Sequence, residues 1–142
     1  MRDPVRLRDR VTPLQRGMHF RRSFVAEPQA PRAVRRELEA LDGELTSDEL
    51  WRLELLVTEL VTNSILHAGL GGRGIVTVAV AVTDSRVQAE VRDRGMGFEP
   101  SVPDEPLAGH WGMRLLDRLS DYWQVDASRG TAVLFELERR IA

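Results

Sequence analysis

A chain of 142 residues, 42% of them hydrophobic, is long enough to form one domain with a buried core. Its lack of cysteine excludes disulfides and thiolate metal sites, and no apolar run approaches the roughly 18–20 residues of a membrane span. All twenty basic residues are arginine, so the lysine that P-loop ATPases and ordinary protein kinases use is missing. The N-terminus lacks the apolar stretch of a signal peptide, and we expect a cytoplasmic protein.

The formal net charge of −2 conceals a basic N-terminal quarter of the chain. Residues 1–36 contain ten arginines and three acidic residues, whereas the rest of the chain contains ten arginines and nineteen acidic residues. Such an arm could contact phosphates or a membrane surface. Residues 1–17 contain two prolines and show no sustained periodicity, so we expect a flexible tail there. We expect residues 18–142 to form the domain, with no direct contact to nucleic acid or membrane.

The remaining sequence alternates between strand and helix patterns. Five segments have the composition of strands: 18–26, 75–83, 86–93, 123–127 and 131–138. Three segments have helical periodicity: 31–41, 46–68 and 112–123. The short links at 84–85 and 128–130 predict hairpins. This order predicts an α+β two-layer sandwich, with a mixed, mostly antiparallel sheet and helices on one face.

The second helix carries a polar row beside its apolar face. Thr46 and Glu49 fit a capping box at its start, and Gly69 ends it. An apolar stripe is predicted at Leu50, Leu53, Val57, Leu60, Val61, Ser64, Ile65 and Ala68. Glu59, Asn63 and His67, which we call the polar row, follow one another at a spacing of four along the edge of that stripe.

The chemistry of the polar row leaves two interpretations open. One histidine is too few for a zinc site, but the oxygens of Glu59 and Asn63 suit a hard cation such as Mg²⁺, or a base beside a metal-bound phosphate. The alternative is that these are ordinary hydrogen-bonding residues at the boundary of the core. The polar row therefore needs support from a second motif.

Two glycine motifs follow in the sequence. In "VRDRGMGF", 91–98, a strand ends at Asp93, and Gly95 and Gly97 follow. A carboxylate can accept a hydrogen bond from an exocyclic amine such as that of adenine, and glycines let the backbone pass close to a flat ligand. The same pattern also occurs in ordinary turns.

In "GHWGMRLL", 109–116, Gly109 and Gly112 lead into the third helix. Such a turn can present free amides to phosphate, although a simple hinge is the alternative. The connector before it, 99–110, has three prolines and the length of a lid over a site.

In this order the three motifs resemble the N box and the two glycine boxes of the ATPase superfamily of gyrase, histidine kinases and the ninety-kilodalton chaperone. Within it, "SFVAEPQAPRAVRREL", "ELVTNSILHA" and "GMRLLDRLSDYWQV" are similar to segments of the bacterial anti-sigma-factor serine/threonine kinases. The resemblance covers roughly residues 18 to 138 and implies the Bergerat ATP-binding fold. It also implies ATP and Mg²⁺ as cofactors, a sigma factor or similar regulator as partner, an anti-anti-sigma-type antagonist as phosphorylation substrate, and possible homodimers.

The resemblance assigns a role to each motif residue. Asn63 would bind Mg²⁺, Glu59 would be the catalytic base, and His67 would line the pocket. Asp93 would bind the adenine amine, supported by Thr131. The pocket wall and lid complete the nucleotide-binding set: Gly95, Gly97, Gly109, Gly112, Met113 and Arg114.

Two residues depart from the family pattern. Ser64 stands where the family often has alanine, and it is small enough to preserve the pocket. The lid reads "GHWG" where many members have a basic residue, so His110 puts phosphoryl transfer in more doubt than ATP binding. A non-catalytic ATP-binding docking module is therefore the alternative function. A detached histidine-kinase domain and a DNA-binding role of the arginine-rich arm are weaker alternatives.

Overall fold

The computed structural model describes residues 18–67, 74–93, 114–126 and 130–140. Its elements, in chain order, are β1 (Met18–Val25), α1 (Ala30–Leu38), a 3-10 turn (Glu39–Leu41), α2 (Ser47–His67), β2 (Ile75–Val82), β3 (Arg86–Asp93), α3 (residues 114–119), β4 (Tyr122–Asp126) and β5 (Thr131–Glu138). The predicted elements are therefore present. None of the described helices is long and apolar enough to cross a membrane.

The five strands form one sheet in the order β1-β2-β3-β5-β4. Each of the four pairings between described strands is antiparallel. The predicted α+β sandwich with a mostly antiparallel sheet is confirmed. The prediction also included a mixed sheet, but no pair of described strands is parallel. Because β5 inserts between β3 and β4, the chain crosses over one strand after β3 and then returns by a hairpin.

The core lies between one face of this sheet and the helices. Val76, Val78 and Val80 alternate along β2 and are fully buried, and they belong to the same cluster as Leu53 and Val57 of α2. Each of these side chains contributes about 1.5–3 kcal/mol by leaving water. Strand alternation thus supplies one apolar face, and the amphipathic helices cover it.

The opposite face of the sheet, which we call the outer face, carries a buried polar cluster. Glu136 of β5 is fully buried, and its Oε2 accepts a hydrogen bond of 2.9 Å from Nε2 of Gln88 on β3. A guanidinium nitrogen of Arg86 lies 3.5 Å from the same oxygen. The neighbouring residues of β2 are the small, buried Ala79 and Ala81. From Val78 to Val82 the strand β2 is therefore buried on both faces, in agreement with its continuously apolar sequence.

Helix α2 begins at the predicted capping box. The Thr46 amide donates to Glu49 Oε1 at 2.9 Å, and the Glu49 amide donates to Thr46 Oγ1 at 3.1 Å. Pro31 lies in the first turn of α1, as predicted. The predicted end of α2 at Ala68 and Gly69 lies outside the described residues, which stop at His67 in this helix.

The predicted third helix is too long at its C-terminal end. Helicity stops at residue 119, where the Ser120 hydroxyl donates back to the Leu116 carbonyl. The next amide, of Asp121, donates instead to the carbonyl of Glu136 at 2.8 Å. Pairing with β5 therefore replaces the helix, and Tyr122 opens β4 one residue earlier than predicted.

Candidate functional site

Arg139 holds the N-terminal end of α2 against the sheet. Its Nε lies 3.2 Å from Glu49 Oε2, and its two terminal nitrogens donate to the carbonyls of Thr83 and Glu44 at 3.0 and 2.9 Å. We call this set the Arg139 clamp. It places the N-terminus of α2 at the end of the sheet that carries the β2–β3 turn. Asp93 marks the other end of β3.

The C-terminal half of α2 is long enough to reach the Asp93 end of the sheet. From Glu49 to Asn63 the helix advances about 21 Å, at 1.5 Å per residue. From Arg139 to Thr131, β5 spans about 27 Å, at 3.4 Å per residue. The family resemblance assigned the adenine contact to Asp93, at this end of β3.

The buried side of α2 is rotated toward the polar row relative to the predicted stripe. Leu56 is only 1% exposed, although the predicted stripe did not include it, whereas Leu50 and Ile65 are only partly buried. Asn63 follows Leu56 by seven residues and so lies within about 20° of it around the helix. Glu59 and Asn63 are both half-buried. The rotation brings Asn63 nearer to the sheet than the sequence pattern indicated.

Asp93 lies beside Thr131 in the sheet. It is the last residue of β3, it is only 3% exposed, and it pairs in register with Thr131, the first residue of β5. It also pairs with Val76 on β2. Gly130 precedes Thr131 with a φ of 75°, a left-handed conformation that favours glycine. A buried aspartate and a neighbouring threonine therefore lie at the end of the sheet opposite the β2–β3 turn.

The remaining predicted residues contribute less to this geometry. His67 is the last described residue of α2, and its side chain lies outside the described part. Arg114 is the first described residue of α3, and it is exposed. Five predicted residues lie outside the described ranges: Gly95, Gly97, Gly109, Gly112 and Met113. The structure thus pairs Asp93 with Thr131 at one end of the sheet and places the half-buried Glu59 and Asn63 one turn apart on α2. The glycine motifs lie outside the described residues.

The donor set does not form a protein-only metal cage. Within residues 18–67, 74–93, 114–126 and 130–140, no group of three or more histidine, cysteine, aspartate or glutamate side chains is placed to hold a metal ion. Magnesium in nucleotide sites is usually held by one or two protein oxygens together with the phosphates. The amide oxygen of Asn63 is a suitable ligand of this kind.

Two other charged residues of α2 have shifted pKa values. Burial of Glu49 raises its pKa, but hydrogen bonds from the Thr46 amide and Arg139 outweigh this effect and leave the pKa below its ordinary value. Burial raises the pKa of Glu54, and Arg35 of α1, 3.6 Å away, offsets this only in part. The sequence predicted Glu49 as a cap but gave no sign of Arg139, which is ninety residues away. A local pattern cannot reveal such a partner.

Comparison with known proteins identifies the family and several relatives of this chain. The histidine kinase-like ATPase domain matches residues 24–137. The anti-sigma F factor of Clostridium acetobutylicum is 25% identical over 131 residues, which cover 84% of this chain and 91% of that protein. The anti-sigma F factor of Geobacillus thermodenitrificans is 32% identical over 107 residues, which cover 68% of this chain and 73% of that protein.

A shorter similarity points to sensor kinases. The sensor histidine kinase YpdA of Escherichia coli is 44% identical over 50 residues, which cover 34% of this chain but only 9% of that protein. The similarity to anti-sigma F factors instead extends over most of both chains. With the antiparallel sheet, the one-sided helices and the match over residues 24–137, the chain belongs to the family of histidine kinase-like ATPase domains, within which it is similar to anti-sigma F factors.

Proposed function

We propose that this protein is an ATP-dependent serine/threonine protein kinase of the anti-sigma-factor type. It binds a sigma factor or a similar regulator, and it phosphorylates a small antagonist protein. One observation carries the proposal: Glu59 and Asn63 are half-buried one turn apart on α2, and Asp93 is buried beside Thr131 on the face of the sheet that α2 covers. The similarity to anti-sigma F factors supports the choice of partner.

The proposed adenine contact is the carboxylate of Asp93. A buried carboxylate is a strong acceptor for the exocyclic amine of adenine, because its charge is not weakened by water. Thr131 is the register partner of Asp93, and its hydroxyl would support this carboxylate. The two residues lie on the helix-facing side of the sheet, so a base bound there packs between the sheet and α2.

The proposed phosphate end is the polar row. The amide oxygen of Asn63 would hold Mg²⁺, and the ion would supply positive charge to the ATP phosphates. Glu59, one turn earlier, takes the proton from the serine or threonine hydroxyl of the antagonist. As that proton leaves, the oxygen forms a bond to the γ-phosphorus, and the bond from the γ-phosphorus to the ADP oxygen breaks. Protein kinases need positioning, charge stabilisation and a base, and these residues supply a metal ligand and a base.

The first test separates nucleotide binding from transfer. Titration calorimetry with ATP and Mg²⁺ should show micromolar binding to the wild type, and Asn63→Ala should abolish it. The wild type, with γ-³²P-labelled ATP, should then label a serine or threonine in one of the anti-anti-sigma-type proteins of the source organism. Absence of ATP binding in the wild type would refute the proposal.

The second candidate is a non-catalytic docking module that holds ATP as a structural ligand. The "GHWG" motif favours it, because His110 is at best a partial cation near neutral pH and replaces a basic residue common in the family. In this case ATP binds and Asn63→Ala abolishes binding, but no antagonist protein is labelled. Formation of a complex with a sigma factor in the presence of ATP would then be the remaining activity.

A further inference from the structure

The outward side of α2 carries an aligned set of apolar groups, which we call the outer strip. It consists of Trp51, Leu55, Thr58, Thr62 and Leu66, which recur at spacings of three and four. Trp51 is 54% exposed and Leu66 is 66% exposed, which makes them two of the few large apolar side chains exposed in the described residues. From Trp51 to Leu66, fifteen steps along the helix, the strip is about 22 Å long. Isolated exposed apolar residues are normal, but an aligned row of this length is unusual.

The two threonines extend the apolar character of the outer strip. The Thr58 hydroxyl donates to the Glu54 carbonyl at 2.7 Å, and the Thr62 hydroxyl donates to the Thr58 carbonyl at 2.8 Å. Because both hydroxyls are bonded to the backbone of their own helix, the methyl groups are what these side chains offer to a partner. The strip therefore continues as methyl groups between its two large ends.

Glu59 stands between the outer strip and the nucleotide side of α2. Leu55 lies four residues before it and Asn63 four residues after it, so each is offset by about 40° around the helix, in opposite directions. Leu55 belongs to the outer strip, whereas Asn63 lies toward the sheet. A base that takes a proton from a protein hydroxyl needs the phosphate on one side and the incoming protein on the other. Glu59 has this placement.

We infer that the outer strip is the docking surface for the phosphoacceptor protein. The inference rests on the proposed kinase function and adds the direction from which its protein substrate arrives. A protein whose hydroxyl reaches Glu59 from the side away from Asn63 must cover α2 next to Leu55 and Thr62. The surface of that protein that would fit the outer strip is an apolar patch beside a serine or threonine. An exposed tryptophan is also the kind of residue that dominates protein interfaces.

The test uses Trp51→Ser and Leu66→Ser, with Ile75→Ser as the matched control. Ile75 is 39% exposed at the start of β2, where strand alternation places it on the outer face of the sheet, opposite the helices. The probe is the antagonist protein that the wild type labels with γ-³²P-labelled ATP. Each strip variant should raise the KM for that protein by about tenfold, the size expected for an interface anchor, and should change kcat by less than about threefold. Ile75→Ser should match the wild type, and the Kd for ATP should be the same in all four proteins.

Two results would overturn the docking inference. One is an unchanged KM in both strip variants while the wild type transfers phosphate normally. The other is that Trp51→Ser and Leu66→Ser turn a dimer into a monomer in light scattering, which would assign the strip to a second copy of the chain. Failure of the kinase proposal looks different, because the wild type itself would then label no antagonist protein. Circular dichroism melting of each variant shows that a raised KM does not reflect unfolding.

Discussion

Replacing Arg139 with alanine should destabilise the domain much more than replacing an exposed arginine such as Arg140. Its guanidinium binds the Glu49 carboxylate and two main-chain carbonyls, of Thr83 and Glu44. The side chains of Arg139 and Glu49 are only 19% and 13% exposed. Alanine would leave a largely buried carboxylate and two carbonyls without this donor.

The expected loss follows from these contacts. A hydrogen bond to a charged group is worth about 1.5–3 kcal/mol, and partial access of water reduces what its removal costs. We therefore expect Arg139→Ala to lower the free energy of unfolding by about 2–3 kcal/mol, or Tm by about 6–12 °C for a chain of this size. Arg139→Lys should lose about half as much, because an ammonium cannot reach three acceptors in the same fixed geometry.

Urea denaturation of wild type, Arg139→Ala and the neighbouring Arg140→Ala is the assay. Arg140 is exposed, so its replacement should cost less than about 0.5 kcal/mol. A double-mutant cycle with Glu49→Gln should show a coupling energy between residues 49 and 139 of about 0.5–3 kcal/mol, the range typical of residues in direct contact. The reasoning is refuted when Arg139→Ala is as stable as Arg140→Ala, or when the two mutations in the cycle are simply additive.

The same cluster predicts the pH dependence of stability. The folded-state pKa of Glu49 lies below its ordinary value of 4.5. The stability that this carboxylate contributes is therefore present above pH 4.5 and is lost as the pH falls through the lower folded value. The difference in unfolding free energy between wild type and Glu49→Gln should narrow in that acidic range. A difference that stays constant down to the acid transition would contradict this.

Four further predictions concern the site and the core. Glu59→Gln should lower kcat for phosphoryl transfer by about 10²-fold or more while the Kd for ATP stays within about threefold; equal transfer would exclude Glu59 as the base. Asp93→Asn should weaken ATP binding about tenfold or more in calorimetry, because the charged acceptor for the adenine amine is lost; unchanged affinity would place the base elsewhere. Leu53→Ala should cost about 2–5 kcal/mol in urea denaturation, against less than about 0.5 for the exposed Leu66→Ala. Arg35→Ala should raise the pKa of Glu54 further in an NMR titration. Because this pKa is already raised in the folded state, the stability linked to Glu54 is fully present below pH 4.5 and is lost as the pH rises through the folded-state value. The loss of stability over that pH range should be larger in Arg35→Ala than in the wild type.

Local sequence signals predicted the structural features that depend only on residues close together in the chain. The capping box of Thr46 and Glu49 depends on residues three apart, and both of its hydrogen bonds are present. The end of α3 was predicted wrongly because Asp121 pairs with Glu136, fifteen residues further along. A helical pattern that continues into Tyr122 and Trp123 gives way to that pairing. Elements were predictable, but boundaries set by distant partners were not.

Local sequence patterns could not predict the strand order or the hydrogen bonds between distant polar residues. The pattern of residues 123–138 predicted the β4–β5 hairpin but not that β5 lies between β3 and β4. The same limit applies to Gln88 and Glu136, whose polar side chains meet across neighbouring strands at a separation of forty-eight residues. In isolation each looks like a solvent-exposed strand residue. Only the sheet topology shows that they satisfy each other in a buried position.

In the candidate site, the packing of the apolar core determines where the polar residues Asp93 and Thr131 lie. Glu59 and Asn63 were recognisable because a spacing of four places both on one side of a helix. The pairing of Asp93 with Thr131 was expected only from the family resemblance, and the structure ties it to the core. Val91 pairs with Val133 and Ala89 with Phe135, and a slip of one residue would turn these side chains to the outer face. The register that buries them also sets Asp93 beside Thr131 on the helix-facing side, so the packing of the core positions this part of the site.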